Sequence, residues 1–78
     1  MPTILRIWNF RFHFYSDENN EPPHVHIASS DGECKFWLEP IRLAKNIGLK
    51  PHTLREIEKL VYENVDFLKE KYNEYHRN

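Results

Sequence analysis

Three of the chain's five histidines, His13, His24 and His26, sit in segments where polar and apolar residues alternate as in a β-strand. Two of them stand one residue apart in "EPPHVHI", residues 21 to 27. In an extended chain, residues i and i+2 project from one face, so the rings of His24 and His26 can converge on one ion. Zinc takes three protein ligands plus water in a catalytic site and four protein ligands in a structural one. The candidates to complete such a site are His13, Glu39, Glu18 and Cys34, and the spacing does not choose among them. The plain alternative is a pair of half-exposed strand histidines hydrogen-bonded to nearby backbone.

A second chemistry open to these residues is metal-free cleavage of an RNA phosphodiester. It needs a general base, a general acid and a cation to hold the charge of the transition state. His13 with His24 or His26 would be the acid–base pair, with Glu39 as an alternative base. Arg11 or Lys35 would clamp the phosphate, and Tyr15 and Trp37 would stack on exposed bases. A third use of the same surface needs no chemistry. Tyr15, Lys35 and Trp37 would then belong to a docking face, since Trp, Tyr and Arg are enriched where partners bind tightly.

Each reading requires a frame that turns these side chains to one side. "TILRIWNFRFHFYS" supplies strand, with Phe10, Phe12 and Phe14 facing one way and Arg11, His13 and Tyr15 the other. Trp8-Asn9 is either a tight turn between two short strands or a bulge in one long strand. "DENNEPP" breaks the pattern. Pro22-Pro23 hold the chain extended and set the phase of "HVHIAS", so that Val25 and Ile27 point inward and the histidines outward. Asp31-Gly32 signals a hairpin. "CKFWLEP" returns with Phe36 and Leu38 inward, and Lys35, Trp37 and Glu39 outward. "IRLAKNIGL" suits a short or irregular edge strand better than the helical turn that Leu43, Ala44 and Ile47 would also allow.

The last third repeats with helical spacing through Leu54, Ile57, Val61, Val65, Leu68, Tyr72 and Tyr75, widened by Leu60. Thr53 and Glu56 match a capping box. A helix from Leu54 to Tyr75 would run roughly 33 Å, longer than strands of about 17–20 Å, so "KYNEYHRN" should overhang the sheet. His52 then falls in the loop before the helix and His76 in a solvated tail. The expected fold is α+β: a small antiparallel sheet of three or four strands with one long C-terminal helix packed on one face, in a single domain over 1–78.

Composition narrows the partners. Eleven Lys and Arg against 12 Asp and Glu give a net charge of −1, without the basic excess of a general polyanion binder, although a local basic patch is compatible with it. One cysteine, Cys34, permits no internal disulfide and suits a reducing cytoplasm. Its position beside Lys35 would favour a thiolate, but a plain strand cysteine is the simpler expectation. No apolar run reaches the roughly 20 residues of a membrane helix, so a soluble cytoplasmic protein is expected.

"MPTILRI", "FRFHFYSDENNEPPHVHI", "CKFWLEP" and "LREIEKLVYEN", in that order, resemble a bacterial domain-of-unknown-function family, DUF4160, across almost the whole chain. The resemblance implies an arrangement similar to toxin–antitoxin gene pairs, with a second small protein encoded nearby, and brings no catalytic residue with it. The leading expectation is therefore a small cytoplasmic protein-interaction module, one component of such a pair or a homodimer. Its rival is a small ribonuclease or metal-dependent hydrolase working from His13, His24 and His26.

Overall fold

A computed structural model describes residues 3–15 and 20–76. Five strands, β1 (Thr3–Ile7), β2 (Phe10–His13), β3 (His24–Ser29), β4 (Gly32–Leu38) and β5 (Ile41–Ile47), pair in chain order as one antiparallel sheet. Two helices follow, α1 (Pro51–Glu63) and α2 (Val65–Tyr75). The α+β class is as expected, but the sheet has five strands rather than three or four, and the helix is divided in two.

Both extra strands have local causes. Trp8 and Asn9 form a two-residue hairpin loop that pairs Ile7 with Phe10. Trp8 has a φ of 55°, the positive value that lets a short loop follow the twist of its strands. β5 runs back along β4 from the turn at Glu39-Pro40. The β3–β4 loop is Ser30-Asp31, one residue earlier than the Asp-Gly signal suggested, and Gly32 already pairs with Ser29. Gly32 answers a packing need instead, because a Cβ there would lie 2.1 Å from the carbonyl oxygen of Ile47.

The helical pattern breaks at Asn64. Its φ of −119° is not helical, and its side-chain amide donates to the carbonyl of Leu60 at 2.8 Å. The backbone N–H of Asn64 still donates to the same carbonyl, so α1 runs up to this residue and α2 starts directly after it, at Val65. α1 packs on β4 and β5 while α2 packs on β3 and β4. The end of α2 therefore does not overhang: Tyr75 and His76 lie half-buried with ring centroids 5.8 and 6.2 Å from Phe14. The Thr53–Glu56 capping box is not used either. α1 begins at Pro51, with Lys50 at the N-cap and no side-chain cap, so His52 is a helix residue. Proline suits this first position because its missing N–H has no partner to lose there.

All seven expected sheet residues, Phe10, Phe12, Phe14, Val25, Ile27, Phe36 and Leu38, are buried in one core with Ile57, Leu60, Val61, Leu68 and Tyr72. Among the described residues no helix is long and apolar enough to cross a membrane.

Candidate functional site

Directly opposed residues in an antiparallel sheet share a face, so the register gives the content of the face that carries the histidines. One cross-strand row reads Thr3, His13, His26, Lys35 and Lys45. The row beside it reads Arg6, Arg11, Ala28, Glu33 and Ile47. A third, towards the start of β3, reads His24, Trp37 and Arg42. The alternation expected from sequence thus brings His13, His24, His26, Arg11, Lys35 and Trp37 to one surface, and Tyr15 joins them from the chain after β2.

The three histidines meet. His26 stacks on His13 with centroids 5.8 Å apart and planes 16° apart, and meets His24 edge-on at 5.3 Å. They are not half-exposed, as expected, but buried, with His24 only 1% accessible. Neighbouring rings provide the cover: Tyr15 stands 4.4 Å from His26, and Trp37 and Tyr72 each stand 5.7 Å from His24. Tyr72 comes from α2, so the helix reaches round the end of the sheet to close one side of the cluster.

Hydrogen bonds set the proton positions. His24 Nδ1 is 2.9 Å from the Pro22 carbonyl, which can only accept, so Nδ1 carries the proton. The prolines of "EPPHVHI" thus hold a histidine as well as a strand direction. Tyr15 donates its hydroxyl to Glu33 Oε2 at 3.3 Å, and His13 Nε2 lies 3.3 Å from the same hydroxyl. That arrangement places the His13 proton on Nε2, while its buried Nδ1 has no hydrogen-bond partner among the described residues. Burial, reinforced by the neighbouring His26, pushes the His13 pKa below the ordinary value of 6.5.

Two carboxylates border the cluster. Glu33 Oε2 is 3.9 Å from His26 Nδ1, and Glu21 Oε1 is 3.7 Å from His24 Nδ1. Glu21 also holds the Lys35 ammonium at 2.6 Å, which lies 4.6 Å from the centre of the Trp37 ring. Beside them opens a cavity of about 220 Å³, lined by Tyr15, His26, Glu33, Cys34, Lys35 and Lys45 among others.

Other expected members of the site lie elsewhere. Glu39, a candidate base and metal ligand, is exposed beyond β4 and pairs with Lys69 of α2 at 3.6 Å. Cys34 is opposite Ile27 in the core row, and burial followed by the Glu33 charge pushes its thiol up to about 12, the opposite of activation. Glu18 lies outside the described residues. Among the described residues no three His, Cys, Asp or Glu side chains are placed to hold one metal ion.

Sequence reasoning missed Glu21, Glu33, Lys45, Arg6 and Tyr72. Glu33 was legible, because it shares the parity of Lys35 and Trp37. Arg6 follows once Trp8-Asn9 is taken as a two-residue loop. Lys45 had no signal: it shares a face with Arg42 only because Ala44 is an extra, bulged residue between Leu43 and Lys45.

A five-stranded sheet with helices on one face and buried histidines bordered by half-buried Tyr15, Glu21 and Glu33 on the other defines a small α+β domain whose second sheet face carries no helix among the described residues. Residues 9–73 match the family described as a domain of unknown function, DUF4160, and the chain belongs to it. The matched span includes "PPHVH" and "KFWLEP" and leaves "MPTI" outside. Neither the curated proteins nor the solved structures gave a match to the chain.

Proposed function

We propose that the chain is a small cytoplasmic protein-interaction module, one half of a toxin–antitoxin-like pair, whose contact element is the edge strand β5. The observation that carries this reading is the exposure of that strand. Six of its seven residues are exposed, including Leu43 at 45% and Ile47 at 54%, whereas three of the five residues of the other edge, β1, are half-buried. An edge strand offers unpaired N–H and C=O groups to an incoming chain, and flanking apolar side chains add the hold. Arg42, Lys45 and the Ala44 bulge are devices that discourage identical edges from joining, which favours a distinct partner over a second copy. The test is co-expression with the product of the adjacent gene. The two should co-elute, and Leu43→Asp/Ile47→Asp should release the partner while the domain stays folded. A wild-type chain that elutes alone, or a double variant that still captures its partner, overturns the reading.

A second reading, the small ribonuclease, is favoured by the meeting of His13, His24 and His26 next to Lys35 and Lys45. His13 as base and His26 as acid beside Glu33 would be the working pair. Loss of RNA cleavage in His24→Ala/His26→Ala, with activity unchanged by chelator, is its expected signature; no cleavage by the wild type removes it.

A further inference from the structure

We infer that the open sheet face binds single-stranded nucleic acid through its cationic rows, a use separate from the β5 edge contact and independent of any cleavage. The support is where the charge lies. Strand positions on this face hold Arg6, Arg11, Lys35, Arg42 and Lys45 against Glu33 alone. That is five of the 11 basic and one of the 12 acidic residues, so these positions carry +4 while the rest of the chain carries −5. Glu21, from the preceding loop, neutralises Lys35 in part. Arg6, Arg11, Arg42 and Lys45 are all exposed.

The arrangement within the rows is as informative as the count. Arg6 stands directly opposite Arg11, and Lys35 directly opposite Lys45. Like charges in opposed positions destabilise a sheet; Glu21 relieves the Lys35–Lys45 pair in part, and a polyanion would relieve the Arg6–Arg11 pair as well. A strand of phosphates supplies negative charge at several points of such a surface at once, which one carboxylate cannot. Rings lie among the cations along the histidine rows: Tyr15 and Trp37 are both half-buried there, with the Lys35 ammonium 4.6 Å from the centre of the Trp37 ring. Cationic tracks with interleaved aromatic side chains are how sheet surfaces hold unpaired bases, whereas a duplex hides its bases from them.

The experiment is fluorescence polarisation with labelled oligouridylate and oligothymidylate dodecamers, a duplex of the same length, and polyglutamate as competitor. Saturable binding of the single strands at about 50 mM salt is expected, weakening as salt rises. Arg6→Gln/Arg11→Gln and Arg42→Gln/Lys45→Gln should each weaken it about tenfold or more and flatten the salt dependence by about 0.7 for each phosphate that is no longer neutralised. Lys59→Gln, on the exposed side of α1, should change nothing. Preference for uridylate assigns RNA, and equal binding assigns single strands of either sugar. Absence of binding, equal loss in Lys59→Gln, tighter binding of the duplex, or displacement by polyglutamate at equal charge overturns the inference; the last would make an acidic protein segment the occupant. No partner protein is needed, so the outcome is read separately from the β5 contact.

Discussion

The two faces of the sheet are built from the same strands in strict alternation and yet obey different rules. On the helix side, Phe10, Phe12, Phe14, Val25, Ile27, Cys34, Phe36 and Leu38 are all buried under α1 and α2, and no charge is placed among them. On the other side, no helix among the described residues lies over the rows, but His13, His24 and His26 are nearly as buried, sealed by each other and by Tyr15, Trp37 and Tyr72. Cations surround them in opposed like-charge pairs. The first face is what a 78-residue domain needs to fold. The second combines like-charge pairs with buried imidazoles, features that weaken a fold rather than build it.

The sharpest way to break this contrast is to truncate each side in turn. Phe12→Ala, in the fully buried central core, should lower unfolding stability by about 3–5 kcal/mol in urea titration. His24→Ala should take about 1–3 kcal/mol, through loss of the bond to Pro22 and of the ring contacts it organises. If His24→Ala costs as much as Phe12→Ala, the two faces are one core and the contrast fails.

Acidity should sharpen it further. Burial holds the His13 pKa below the ordinary 6.5, so the unfolded chain takes up its proton first as pH falls. Stability from this group is complete above about pH 6.5 and is lost as pH drops from there through the lower, folded value. The urea midpoint should therefore fall between about pH 7.5 and 5.5, and His13→Phe should show a smaller fall. An equal fall in that variant would move the titration elsewhere. The smallest effect expected is a gain: Arg6→Gln removes one like-charge pair and should stabilise the domain by about 0.2–1 kcal/mol.

Alternation made the core legible, because a buried strand face leaves a period of two that no turn nearby disguises. It made the histidine face legible for the same reason, down to Lys35 and Trp37 opposite His26 and His24. Two single residues set the limits. Ala44 slips the parity of β5, so Lys45 could not be assigned to the face, and a bulge has no signature in a lone alanine. Asn64 sits at an ordinary polar position of a helical repeat, and only its non-helical φ of −119° reveals that the helix ends there. The burial of the histidines was also hidden, because Tyr72 reaches His24 from far along the chain, in a helix assigned to the opposite face.

The proposed edge contact can be tested at its own amides. Hydrogen exchange of the chain with and without the adjacent gene's product should show new protection in β5, residues 41–47, as unpaired edge groups acquire partners. Protection confined to the helices, with β5 exchanging as fast in the complex as alone, would contradict it.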